Sequence, residues 1–432
     1  MTGRSATRPP QFNPRSLDAL NFLDAVNFLL SEVRGALGPY LNVFLVTQQN
    51  WSQSQVGVLT TVGGLIGIAA QTPIGAAIDA TRAKRGAVVA ALVVLAFGAV
   101  VIFAAPNFWP VMFANTLMAV VGDVFGPAVA ALTLGLVARK TLARRMGRNA
   151  AFDHAGNVGI ALVAGAVGYL FSQRAVFLLV PFFCVLAAFS VLSIPSGAID
   201  NDRARGLDVK QDSLNSGAPA GWKILIQCRP LVIFGFCCML FHLANAPLLP
   251  LVGQKLALAN PHLATAMMSS CIIAAQLIML PCALFVGRTA DRLGRKPILL
   301  AAFAVLPIRA VLYTLSDNSA WLIGVQLLDG VGAGLFGALT PLLIADLMRG
   351  TGRYNLAQGA VATVQGVGAA SSGLAAGLIV DHFGYSPAFL VAGGVALCAL
   401  ALLAIAMPET AMSEGIGDRD ERRGQGEQSA AR

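Results

Sequence analysis

Residues 287–297 read GRTADRLGRKP. Arg288, Asp291, Arg292, Arg295 and Lys296 carry charge within these eleven positions, yet the stretch lies between two apolar runs, MLPCALFV (279–286) and ILLAAFAVL (298–306). A related stretch, GAAIDATRAKR (75–85), sits between apolar runs 212 residues earlier, with Asp79 in the place of Asp291. A charge knot between apolar runs, used twice, is the pattern of a short loop joining two helices that cross a bilayer.

Composition supports that reading. The chain has 432 residues, of which 56% are hydrophobic and only 12% charged, and its mean hydropathy is +0.71. A soluble chain carries about 25% charged residues. A membrane-crossing helix needs about 20 mostly apolar residues. Twelve segments meet the pattern: 17–46, 55–79, 87–106, 109–138, 150–171 and 175–194, then 231–251, 265–287, 297–316, 320–347, 355–380 and 387–407. The expected architecture is therefore all-α and integral to the membrane: two six-helix bundles, 17–194 and 231–407, related by a pseudo-two-fold axis. A cytoplasmic N-tail (1–16), a polar linker (195–230) and a cytoplasmic C-tail (408–432) complete it. The N-tail lacks the basic-then-apolar pattern of a cleaved signal, so the first span is read as retained.

Charge sets the expected orientation. Of the 30 Lys and Arg residues, all but Arg34, Arg174, Lys255 and Arg309 fall in segments on one side if both termini are cytoplasmic. Cytoplasmic loops of membrane proteins carry this excess. The net charge of +9 is thus topological, and a nucleic-acid partner is not expected. The seven cysteines and four histidines show no metal-ligand spacing; no metal and no cofactor are expected.

The halves repeat. VFG at 124–126 lies 211 residues before LFG at 335–337, and a shift of 210 sets LSEVRGA (30–36) on LFHLANA (240–246). Parallel six-helix repeats place a binding site at the midplane between them.

GRTADRLGRKP resembles the loop motif Gly-x-x-x-Asp-Arg-x-Gly-Arg-(Arg/Lys) of the major facilitator superfamily, and it lies between spans 8 and 9, where that family carries its second copy. GAAIDATRAKR lies between spans 2 and 3, where the family carries its first. The resemblance covers the twelve spans, the linker and the duplication. It implies a secondary transporter working by alternating access, with helices 1, 4, 7 and 10 lining a central path, and a conformational latch formed by Gly75, Asp79, Arg82, Arg85, Gly287, Asp291, Arg292, Gly294, Arg295 and Lys296. Small residues let the helices pack closely, and an aspartate at a helix end suits a partner helix N-terminus. Asp346, at the end of span 10, is placed to pair with Arg292 or Arg295. The first half has no acid at the matching place, and Asp79 is followed by Ala80, so the second-half latch is expected to be the stronger.

Ionisable groups inside spans cost roughly 2.5–3.5 kcal/mol to insert and need a reason. In the first span Asp24, Asn27, Ser31, Glu32, Arg34 and Asn42 form one polar arc at about 100° per residue. Span 4 adds Asp123, span 7 His242 and Asn245, span 9 Arg309, and span 10 Gln326 and Asp329. Glu32 or Asp123 is the candidate proton carrier, since a carboxylate in a span can load and release a proton. Arg34 is a candidate for holding an anionic substrate group. Asn27, Ser31, His242, Asn245, Gln326, Asp329 and Arg309 are candidates for lining the substrate path, with Arg309 and Asp329 alternatively pairing with each other.

Span 4 lacks the arginine, and span 5 the proline, of the family's proton-coupled drug exporters, which argues against a multidrug antiporter of that type. The expected function is proton-coupled efflux of a small organic molecule by a monomer in a bacterial cytoplasmic membrane. The alternatives are proton-coupled uptake of an organic anion and a non-transporting membrane sensor. No catalytic constellation or phosphate-cradling loop points to an enzyme or an ATP-driven pump.

Overall fold

The computed structural model describes residues 14–35, 38–81, 83–137, 139–200, 225–349, 351 and 353–410. Helices dominate, and there are no strands among the described residues. We number the helices by span: α1a (Pro14–Gly35), α1b (Gly38–Gln48), α2 (Gln53–Ala80), α3 (Lys84–Ala104), α4a (Phe108–Gly122), α4b (Phe125–Leu136), α5 (Arg139–Leu170) and α6 (Leu179–Ser193, entered through a 3-10 turn at Arg174–Leu178). The second half holds α7a (Arg229–Asn245), α7b (Leu248–Ala259), α8 (Ala264–Leu293), α9 (Arg295–Leu315), α10 (Ser319–Leu347), α11 (Tyr354–Phe383) and α12 (Tyr385–Ala406).

Eleven of these spans, counting α4a–α4b and α7a–α7b as one each, are long and apolar enough to cross a membrane. The first is not among them, because Asp18, Asp24, Glu32 and Arg34 interrupt its apolar residues. Span 5 starts eleven residues earlier than the apolar run at 150–171 suggests. Its first turns, RKTLARRMGRNA, are basic but built largely from good helix formers, so the helix runs on past the apolar stretch. Outward faces are apolar: Phe182, Val185, Phe189 and Leu192 of α6 recur at helical spacing and are all exposed. Helices satisfy their own backbone groups, which is what a hydrocarbon surround demands.

Two spans break. In α4 the break falls at Asp123–Val124, where Pro127 has no N–H for the carbonyl of Asp123, four residues back. In α7 it falls at Ala246–Pro247, where Pro247 and Pro250 likewise deprive Leu243 and Ala246. Two sharp joints rest on glycine: Gly294 (φ +89°) links α8 to α9 and Gly384 (φ +84°) links α11 to α12, in a backbone region that other residues enter at a cost.

Packing repeats with the sequence. Within the first half α1a packs on α5 and α6, α2 on α4a, and α3 on α4a and α6; six helices on, α7a packs on α11 and α12, α8 on α10, and α9 on α10 and α12. Each half has its own apolar core, one running from Ala19 to Ile194 with a few residues of 257–268, the other from Leu231 to Met407. The seams are glycine-lined. A Cβ on Gly156 of α5 would run into the carbonyl of Phe28 on α1a, and one on Gly368 of α11 into the carbonyl of Met239 on α7a. Gly156 and Gly368 are 212 residues apart, so the duplication extends to the closest backbone approaches.

The halves meet along α2–α11, α5–α8 and α1b–α7b. Gly57 abuts Gly373 and Gly377 abuts Gln53 on the first seam, and Gly165 and Gly168 abut Ser269 and Thr265 on the second. The Asp381 carboxylate of α11 accepts from the backbone N–H groups of Gln53 (2.9 Å) and Ser54 (2.7 Å) at the start of α2. Gln53 Nε2 donates to Tyr385 Oη at 2.9 Å, Thr61 Oγ1 to the Ala370 carbonyl at 2.6 Å, and Tyr40 shares a 2.8 Å hydrogen bond with Ser269. These contacts pin the halves together at the end opposite the charged 2–3 and 8–9 loops.

Candidate functional site

Within the polar arc of the first span, Asp24, Asn27 and Ser31 face their own bundle. Asp24, Asn27, Ser31 and Asn42 are all buried. Asn27 Nδ2 donates to the Leu23 carbonyl at 2.7 Å and Ser31 Oγ to the Asp153 carbonyl at 2.7 Å. Asp24 pairs with Arg145 (2.7 Å) and Arg148 (2.6 Å) of α5. Arg145 also donates to Asn149, whose amide donates to Thr133 of α4b, both at 2.9 Å. One buried carboxylate thereby ties α1a, α4b and α5. Its arginine partners lie more than 120 residues away in the sequence, where they read only as loop charge. The side chains of Glu32, Arg34 and Asp79, and residue Arg82, lie outside the described residues.

Asn27 and Asp153 line a cavity of about 260 Å³ with Phe125, Gly126, Met146 and Asn149, between α1a, α4b and α5. Asp123 caps the last turn of α4a, half-buried. Among the described residues it has no ion-pair or hydrogen-bond partner for its carboxylate. In this it differs from Asp24, Asp329 and Asp346.

In the second half Arg309, Gln326 and Asp329 come together. Arg309 is buried, pairs with Asp329, and leaves two nitrogens without a hydrogen-bond partner. Gln326, fully buried, donates to Asp329 at 3.2 Å and accepts from the Tyr313 hydroxyl. These groups bind one another between α9 and α10, with Arg309 only partly satisfied. His242, one turn before the α7 break, bonds through Nδ1 to the Cys238 carbonyl at 2.9 Å and meets the ring of Phe336 edge-on. Asn245 ends α7a beside the break.

The two charged loops are held differently. Arg295 pairs with Asp291 (2.7 Å) and with Asp346 (3.0 Å), and Asp346 also holds Arg349 at 3.1 Å. Glu409, just past α12, accepts from the backbone N–H groups of Arg295 (2.8 Å) and Lys296 (3.0 Å) and so caps α9. Lys296 Nζ reaches the Ala404 carbonyl at 2.8 Å. Arg292 is exposed at the end of α8, and the Gly287 Cα has open space around it. The first loop is tied to carbonyls: Lys84 Nζ donates to Ile78 at 3.0 Å and Arg85 to Leu192 and Ile194 at the end of α6; Gly75 has nothing close to its Cα. Glu409 was hidden in the sequence because it reads as the start of a polar tail.

A second cavity lies between the halves at the α7 break. It measures about 110 Å³ and is bordered by α1b, α2, α7b and α11.

Twelve spans in two repeated halves, meeting on glycine seams around internal polar groups, define a multi-pass membrane transporter. The chain belongs to the Major Facilitator Superfamily, whose model matches residues 23–283 and 244–425. Two uncharacterized MFS-type transporters of Mycobacterium tuberculosis, from strains CDC 1551 / Oshkosh and ATCC 25618 / H37Rv, are each 49% identical over 395 residues, covering 91% of this chain and 94% of theirs. Among solved structures, the fold is similar to a mutant form of the nucleoside transporter NupG (TM-score 0.75, 13% identity, 90% of this chain and 100% of that one). It is also similar to a bacterial homolog of the human lysosomal transporter Spinster, solved inward-facing and unoccupied (TM-score 0.71, 13% identity, 92% and 96%). At these identities the structural likeness speaks for the fold alone.

Proposed function

We propose that this transporter moves a small organic molecule out of the cell in exchange for protons, by alternating access, as a monomer in a bacterial cytoplasmic membrane with both termini inside. The observation that carries the proton coupling is Asp123. It is an ionisable group at a helix break inside a span, without a counter-charge among the described residues. Such a carboxylate can take up and release a proton without first breaking an ion pair. Glu32, on the same half, is the second candidate carrier. The pinning of the halves at one end, with charged loops at the other, supports rocking of one bundle against the other. Uptake of an organic anion draws less support: Arg309, one of the two arginines that suggest it, is engaged by Asp329, which leaves Arg34.

The test uses inverted membrane vesicles energised to build a proton gradient and followed with a pH-sensitive dye. A panel of anionic, cationic and neutral compounds is added to wild type, Asp123→Asn and Glu32→Gln at matched expression. A compound that dissipates the gradient with wild type and not with Asp123→Asn supports the assignment. Unchanged proton flux in Asp123→Asn moves the role to Glu32, and flux unchanged in both variants sinks proton coupling through either group.

A further inference from the structure

The cavity at the α7 break draws walls from both halves and none of its lining residues is charged. Asn42 and Gln53 come from the first half, Gln254 and Ser372 from the second, and Pro247 marks the break itself. Gln254 is 1% exposed, and its Oε1 has no hydrogen-bond partner. Asn42, also buried, has no hydrogen bond to its carboxamide among the described residues. A buried polar group left unpaired carries a penalty of about 1–3 kcal/mol, and native proteins leave few. Gln254 carries such a group, and Asn42, whose carboxamide also lacks a partner among the described residues, lines the same cavity from the other half. Each offers an acceptor oxygen and two N–H donors. Beside them the Ala246 carbonyl has no helical donor, because residue 250 is proline.

We propose that this cavity is a binding site for an uncharged polar group that presents a hydrogen-bond donor and acceptor side by side, such as the carboxamide, imide or lactam edge of a neutral transported molecule. The inference rests on the transport reading above and adds the substrate class. A carboxylate or ammonium group would enter a site with no counter-charge and lose its hydration; a neutral amide edge exchanges water for matched amides at little loss. Because the walls come from both halves, an occupant bonded to Asn42 and Gln254 also holds this end of the bundle shut. The competing occupant is water: the volume admits several molecules, since one needs roughly 10–15 Å³ of such space.

The test is thermal unfolding of the purified full-length protein with two matched pairs of probes, uracil against orotate and nicotinamide against nicotinate. Each pair shares a ring and differs by a carboxylate. The neutral member should raise the unfolding temperature and the carboxylate should not. Gln254→Leu should weaken binding of the neutral probe roughly tenfold or more. Without probe, the variant should unfold no earlier than wild type, because an apolar side chain of similar size replaces an unpartnered amide. If Gln254→Leu does not fold, Asn42→Leu carries the same comparison. Equal binding of the carboxylates, no binding of any probe, or neutral binding unaffected by both variants overturns the proposal; Gln254→Leu more stable than a wild type that binds none of the probes identifies a hydrated cavity only. Vesicle flux separates the two readings. Neutral probes that bind but are not moved count against transport of this class, whereas flux of another compound that ignores Gln254→Leu and Asn42→Leu counts against the site.

Discussion

The two halves of this transporter share a backbone plan and differ in what they do with charge. Gly156 and Gly368 close equivalent seams at equivalent positions, and every helix pairing described for one half recurs in the other. Yet at an offset of 212 Arg309 corresponds to Phe97, Asp329 to Leu117, Asp24 to Phe236 and Asp123 to Leu335. The second half encloses its span charges in a pair between α9 and α10. The first half anchors one carboxylate, Asp24, near the basic start of α5, while another, Asp123, stands at a helix break with no ion-pair partner among the described residues. Close backbone packing tolerates little change, since a single added carbon meets a carbonyl. Side chains beside the seams are freer to diverge, so chemistry separated while geometry held.

The largest expected effect tests the enclosed pair. Asp329→Ala strands Arg309 in the interior and should lower stability by about 3–5 kcal/mol, while Arg309→Met with Asp329→Leu should cost far less. Unfolding temperatures in detergent decide it; a double variant as weak as the single would show that charge compensation is not what Asp329 supplies. Next comes the shared backbone plan. Gly156→Ala and Gly368→Ala should each lose about 1–3 kcal/mol through overpacking, and a marked inequality between them would break the equivalence of the seams. Smaller is the cross-half clamp. Asp381→Ala leaves the Ser52–Gln55 capping box of α2 but removes the acceptor for the Gln53 and Ser54 N–H groups, an interaction of about 0.5–2 kcal/mol, and should raise thiol labelling of Thr60→Cys by roughly 2- to 30-fold. Tyr169 occupies the place equivalent to Asp381, so Tyr169→Phe should leave labelling unchanged. The smallest effect is expected at the exposed Glu409: Glu409→Gln should cost about 0.3–1 kcal/mol, the range for a carboxylate at a helix start, read by thermal unfolding at low and high salt.

Much of the fold was legible because bilayer thickness imposes a run length that composition reveals directly. The first span is the instructive exception. Its charges dilute the apolar signal, and it was recognisable because residues 17–46 form a long run whose remaining residues are mostly apolar. Arg309 and Asp329 could be suspected as a pair because both sit inside neighbouring spans. Asp24 with Arg145 and Arg148 could not, since basic residues beside a span look the same whether they face solvent or reach into the bundle. Gln254 was missed for a related reason: a glutamine next to Lys255 near a span end resembles ordinary interface polarity. Only the packing of α7b against α1b shows that its amide is enclosed.

The clamp on α2 also has a mechanical meaning. Gly57 touches Gly373 near one end of α2, and the helix runs on to Ala80 at the other. At 1.5 Å per residue that arm is about 35 Å long. A tilt of about 10° around the glycine contact would displace the far end by roughly 6 Å, close to the 5.4 Å pitch of a helix. A fulcrum placed so near one end would turn a modest rotation into an opening of molecular size once the contacts of Thr61 and Ile68 further along α2 let go, without unfolding a turn of the arm itself.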